Sequence, residues 1–185
     1  MVIIPGSKSV ISDLNWIKQS GLESLILKAH DKDVVIMGVC GGFQMLGDEI
    51  NDPRHMESEL DSVKGLGLLP VSTEFKEVKT TTQVTGVIND IRGALTLISG
   101  MEYTGYEIHM GISQGAGAGA ILNSGNTYGT YIHGIFDLNN IAFTIAQALA
   151  DKKGIELSAA IPVDLDTYKN SQYDILADIL EESLN

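Results

Sequence analysis

Apolar positions follow two rhythms along this chain. Val2–Ile4 is a short apolar run stopped by Pro5-Gly6, the pattern of a buried strand entering a turn. Ser12 and Asp13 suit a helix start, and Leu14, Ile17, Leu22, Leu25 and Ile26 follow at helical spacing around a break at Gly21. Val34–Val39 is the clearest buried strand, rich in β-branched residues and preceded by the charged turn Asp31-Lys32-Asp33. It runs into Cys40-Gly41-Gly42, and Phe43–Ile50 reads as a helix. Strand, helix, strand, helix predicts right-handed crossovers and an open, largely parallel α/β sheet with helices on both faces.

After a polar stretch over Asn51–Lys64, expected as a surface excursion, the period changes. Val71–Lys79, Gln83–Asn89, Thr104–Met110 and Thr127–Ile132 read as additional antiparallel strands. Gln114–Gly119 alternates glycine and alanine, a flexible connection. Asn139 or Asn140 caps an expected helix through Ala150 that ends near Gly154. A final helix from about Thr167 to Leu184 puts Leu176, Ile179, Leu180 and Leu184 on one stripe. With no repeat and no boundary, residues 1–185 read as one domain.

Composition narrows the chemistry. The 185 residues carry 12 Lys plus Arg against 24 Asp plus Glu, a net charge of −12. Such a chain repels nucleic acid and anionic lipid, and no basic cluster offsets this. One cysteine excludes an internal disulfide framework and a cysteine-rich zinc module. No signal peptide opens the chain, and no run approaches the roughly 18 apolar residues of a spanning helix. The expectation is a cytoplasmic protein.

Gly38-Val39-Cys40-Gly41-Gly42 places that cysteine between a buried strand and a helix. A nucleophile on such a turn needs small neighbours, because the backbone is strained and flanking side chains would clash. The helix behind it is expected to favour the thiolate, and the Gly41 N–H to receive an oxyanion. The bland alternative is a small core residue; the flanking glycines at this elbow favour a nucleophile. Such a cysteine needs a proton-transfer partner. His30 and His55 fall in charged or polar stretches and read as solvated. His109 lies on a strand between glycines. His133 follows an apolar strand, at the kind of strand end where α/β sheets collect active residues, and is favoured. Gly6-Ser7-Lys8-Ser9 lacks the glycines of a phosphate loop, and no metal-ligand spacing occurs.

Five motifs then occur in order: Pro5-Gly6-Ser7-Lys8, Gly38–Gly47, Gly65-Leu66-Gly67-Leu68-Leu69-Pro70, Gly105–Gly111 and Gly129–Phe136. Together they closely resemble the C-terminal glutamine amidotransferase domain of cobyric acid synthases, a flavodoxin-like fold, over nearly the whole chain. In relatives that amidate corrin positions a and c, the first and last motifs differ.

The resemblance implies that Cys40 attacks the amide carbon of glutamine and that His133 moves the proton. It implies that N–H groups at Gly41 and around Gly6-Ser7 hold the oxyanion and that Gln44 helps bind glutamine. Tyr106, Glu107 and His109 would line the amino-acid end of the pocket. It also implies an N-terminal synthetase domain, where ATP and Mg²⁺ serve amidation of a corrin substrate, and no cofactor in the present domain. Where many triad amidotransferases carry His-x-Glu, this chain has Ile135, leaving Asp137 or Glu107 as third members. The short approach to Pro5–Lys8 reads as a fragment lacking the synthetase and its own first strands, expected to self-associate or to be less stable than a longer chain. Two alternatives stand beside this reading: the glutaminase of another triad amidotransferase, serving peptidoglycan or nucleotide amidation, and a non-catalytic docking module of amidotransferase shape.

Overall fold

The computed structural model describes residues 1–115, 117, 119–138, 140–157 and 165–184. Three strands pair in parallel: β1 (Val2–Ile4), β2 (Ile36–Val39) and β8 (Thr127–Thr130), the last two buried. With β7 (Leu122–Ser124), antiparallel to β8, they form a four-stranded sheet of order β1-β2-β8-β7. Alternation along β2 sends successive side chains to opposite faces. Ile36 packs with residues of α1 (Val10–Gln19), α2 (Leu22–Asp31) and α3 (Gly41–Leu46), among them Leu14, Ile26 and Phe43. Met37 packs on the other face with Ile141, Ile145 and Ala148 of α4 (Ile141–Lys153) and with Ile98 of the short 3-10 turn Thr96–Ile98. Helices thus cover both faces, as the α/β reading requires.

Of the additional strands, Thr127–Ile132 gives its first part to this sheet as β8, parallel to β2 and not antiparallel, and the others build a second sheet. Its order is β4-β3-β5-β6-β9, from β4 (Ser62–Lys64), β3 (Glu49–Asn51), β5 (Ser72–Val87), β6 (Glu102–Gln114) and β9 (Ile132–His133). Only β3 and β5 pair in parallel there. The two strands expected over Val71–Lys79 and Gln83–Asn89 are one, because β6 pairs along it from Ser72 to Val87 with a register shift between Glu74 and Lys79. Phe43–Ile50 is helical only to Leu46, since Gly47 turns extended and Glu49–Asn51 joins β5. Thr127–Ile132 divides at Tyr131, where the chain passes from the first sheet to the second.

Helix α1 starts earlier than Ser12, at Val10, and Gly21 at φ 81° separates it from α2, whose last turn holds His30. Asn140, at φ 60°, precedes α4 without a side-chain cap, and Gly154 at φ 65° ends it. Asn139 and the Ala116 and Ala118 of the expected flexible connection lie outside the described residues. The last helix, α5 (Leu165–Leu184), leaves Leu176, Ile179, Leu180 and Leu184 exposed. Among the described residues no helix is long and apolar enough to cross a membrane.

Candidate active site

Strands β2 and β8 run side by side, and both end at the same edge, with Val39 opposite Thr130. Cys40 follows the first and His133 lies three residues past the second. The Cys40 N–H donates to the Thr130 carbonyl at 2.8 Å, tying the elbow to β8. Cys40 has φ 53° and ψ −110°, outside the regions open to an L-residue. Its neighbours must be small. A Cβ on Gly42 would stand 2.0 Å from the Ile4 carbonyl oxygen, and one on Gly41 would stand 2.9 Å from the Ser7 nitrogen. These clearances bring the Pro5–Lys8 turn directly against the Cys40 elbow. A Cβ on Gly6 would meet His133 Cε1 at 3.1 Å and Cys40 Cβ at 3.6 Å, so Gly6 sits between the two side chains.

Strand β6 closes the site from the other side. The Cys40 thiol donates to the Ile108 carbonyl at 3.3 Å. Tyr106 lies opposite His133 in the β6–β9 register, and their rings stack at 5.1 Å and 7°. His109 stacks on Tyr131 at 3.8 Å, and its ring nitrogens reach Gly111 O at 3.1 Å and Glu107 Oε2 at 3.3 Å. Gln44 is 2% exposed, and its amide donates to Met110 O at 3.0 Å and Tyr131 Oη at 3.3 Å. Tyr131 Oη continues this chain to Ser113 at 2.5 Å, and Ser113 to the buried Thr73 at 2.6 Å. A buried polar chain with every link made fixes side-chain orientation. Here it fixes Gln44 and the plate on which His109 lies.

A cavity of about 670 Å³ gathers Gly6, Ser7, Cys40, Gln44, Tyr106, His109 and His133 in its lining, with Lys8, Glu57 and Lys79. Gly41 lies behind Cys40 against Ser7. Glu107 faces a neighbouring cavity of about 350 Å³ with Tyr103 and Thr130, and His109 and Tyr131 line that one too. Neither reserve carboxylate serves His133: Glu107 pairs with His109, and Asp137 pairs with Lys169 at 3.2 Å. Among the described residues His133 has no carboxylate partner. His55 pairs with Asp61 at 2.9 Å, away from the cavity. No group of three or more His, Cys, Asp or Glu among the described residues is arranged to hold a metal ion. Glu57, Lys79 and Tyr131 were not singled out from sequence. Glu57 and Lys79 carry no motif, whereas Tyr131 lies inside one, two residues before His133.

The electrostatics suit a neutral pair. Burial pushes the Cys40 thiol up and Glu107 adds to it, while the Gly41 N–H pulls the other way. The thiolate expected from the helix end is therefore not the resting form, because loss of water outweighs a six-residue helix. Burial lowers the His133 pKa, and His109 lowers it further. A protonated thiol beside a neutral imidazole is the resting state of a base-activated nucleophile.

A cysteine at a glycine-flanked elbow and a histidine three residues past the adjoining strand, both lining one cavity, are features of a thiol-dependent acyl-transfer site. Residues 1–141 match the CobB/CobQ-like glutamine amidotransferase domain, and the chain belongs to that family. The cobyric acid synthase of Lachnoclostridium phytofermentans is 40% identical over 209 residues, an alignment spanning 100% of this chain and 40% of that protein. That of Clostridium acetobutylicum is 41% identical over 200 residues, spanning 100% of this chain and 39% of that protein. The chain thus spans about two fifths of the length of these curated relatives. A solved glutamine amidotransferase shares the fold, with a TM-score of 0.50 and 16% identity over 79% of this chain and 77% of that one.

Proposed function

We propose that residues 1–185 form the glutaminase domain of a cobyric acid synthase. The observation that carries this is a cavity lined by both Cys40 and His133. His133 takes the thiol proton as Cys40 attacks the side-chain amide carbon of glutamine. The oxyanion rests on the N–H groups of Gly41 and of the Gly6-Ser7 turn, each such donor contributing ~2.7–4 kcal/mol to the transition state. The tetrahedral intermediate collapses as His133 protonates the leaving ammonia, so the C–N bond breaks and a Cys40 thioester remains. His133 then draws a proton from water, which attacks the thioester and releases glutamate and the free thiol. Gln44 and His109, held by Tyr131, shape the pocket around the substrate. Ammonia passes to a synthetase part, where ATP and Mg²⁺ activate the b, d, e and g carboxylates of adenosylcobyrinic acid a,c-diamide.

The test is ammonia release from glutamine, with intact-mass analysis after a reactive glutamine analogue. One adduct, on Cys40, and no turnover in Cys40→Ala are expected. Labelling elsewhere, or undiminished turnover in that variant, overturns the proposal.

A further inference from the structure

The segment between β3 and β4 is polar and carries no motif, yet Asp52 gives it a fixed shape. The Asp52 carboxylate is 0% exposed and accepts the N–H groups of Met56 at 2.7 Å, Glu57 at 2.8 Å and Ser58 at 3.0 Å. Burial raises its pKa, but those three bonds outweigh burial and the net shift is downward, so Asp52 stays ionised. The turn it organises carries Glu57 to the start of α1, where the Ile11 N–H donates to Glu57 Oε2 at 3.4 Å.

Glu57 is also, among the described residues, the only carboxylate in the lining of the Cys40–His133 cavity, where Lys8 and Lys79 are the cations. Among the described residues no lysine or arginine pairs with Glu57, and the charges that act on it are those of two carboxylates, Asp52 and Asp13. Burial first, and those two carboxylates after it, push its pKa up against the N–H groups of Ile11 and Val10. A carboxylate partly removed from water, with like charges beside it and no cation paired to it, attracts one from outside. An α-amino acid brings that cation. With the side-chain amide at Cys40, the ammonium and carboxylate on its Cα are left for charged lining groups of both signs.

We infer that Glu57 is the group that selects an α-amino acid here, receiving the α-ammonium of glutamine, with Lys8 and Lys79 available to its α-carboxylate. This deepens the glutaminase reading and rests on it. The competing role is purely structural, an acceptor for the first turn of α1.

Glu57→Gln separates the two, because its amide oxygen still accepts the Ile11 N–H while the charge is gone. Ammonia release is measured on the full chain with glutamine, and 4-carbamoylbutanoate, which is glutamine without its α-amino group, is used as substrate or competitive inhibitor. A hydrogen bond to a charged group predicts that KM for glutamine rises ~10–100-fold with kcat little changed. The constant for 4-carbamoylbutanoate should stay within about twofold, and Glu57→Asp should keep most of the preference for glutamine. Equal weakening of both compounds, or of neither, overturns the inference, as does loss of preference in Glu57→Asp equal to that in Glu57→Gln. A parent chain that releases no ammonia overturns the glutaminase reading beneath it. An active parent with unshifted selectivity in Glu57→Gln overturns this inference alone. Thermal midpoints recorded alongside show whether the folded states are equivalent.

Discussion

Glycine at position 40 is expected to be tolerated by the fold far better than glycine at an ordinary buried site. Cys40 holds φ 53° with ψ −110°, and its side chain is 4% exposed. A residue kept in so sparse a region stores ~1–3 kcal/mol of backbone strain. Cys40→Ala and Cys40→Gly both lose the sulfur, so their difference isolates the backbone. Where the backbone is relaxed, going from Ala to Gly loses about 0.8 kcal/mol for a buried carbon and ~0.4–1 kcal/mol through the freer unfolded chain. Subtracting that loss, ~1.2–1.8 kcal/mol, from the strain released leaves glycine between about 0.8 kcal/mol less stable and about 1.8 kcal/mol more stable than alanine. Urea titration of the two variants, compared at equal slope, reads the difference directly. Both should lack glutaminase turnover. A glycine variant less stable than the alanine one by more than ~1.2 kcal/mol would show that the elbow stores no strain.

His133 is held below the ordinary histidine range, so its ring stays neutral to lower pH than a free imidazole, and kcat/KM should fall only below about pH 6.5. The unfolded chain takes up that proton first, so this group's contribution to stability is complete above about pH 6.5 and lost as pH falls toward the folded pKa. Urea midpoints of the parent and His133→Asn should converge or cross as the pH is lowered through that window, and parallel curves would refute the assignment. Asp52→Ala strands three N–H groups and should cost on the order of 3 kcal/mol, with faster amide exchange at residues 56–58; unchanged exchange there would show that Asp52 does not hold the turn. Gly42→Ala should cost well over ~3 kcal/mol or abolish folding, since its Cβ meets the Ile4 carbonyl at 2.0 Å, whereas Gly21→Ala meets open space and should cost only ~1 kcal/mol of left-handed strain, as thermal midpoints would show.

What could be read from the sequence was local. Val34–Val39 and Cys40–Gly42 declare a strand and an elbow within a few residues, because apolar continuity and glycine spacing record burial and turn geometry directly. The parallel pairing of β1 and β2 follows from the crossover rule, whereas Thr127–Ile132 reads as an additional antiparallel strand and its parallel place beside β2 is not written in its own residues. The second sheet was not readable as such. The partners of Ser72–Val87 lie at Glu102–Gln114, and no nearby residue states that a strand of this length continues through Lys79 to Gln83. The site divides the same way. Gly6, Cys40, Gln44 and His133 sit in motifs, and the structure gathers them in one cavity. Glu57 reaches it only because a buried aspartate folds a polar loop back onto α1, a tertiary event with no local signature. The thiol's raised pKa was also unreadable, since dehydration depends on β6 covering the elbow.

The bond from the Cys40 N–H to Thr130 O also has a temporal meaning. Its two ends are 130 − 40 = 90 positions apart, and at ~5–20 residues per second a ribosome takes roughly 5–20 s to supply the second after the first. Throughout that interval the cysteine has neither the strand that fixes its elbow nor the histidine that would deprotonate it. A parallel strand inserted so late is a non-local pairing of the slow kind, requiring a long loop to close before it returns any contact. A nascent chain therefore carries its thiol in an unarmed form until β8 docks.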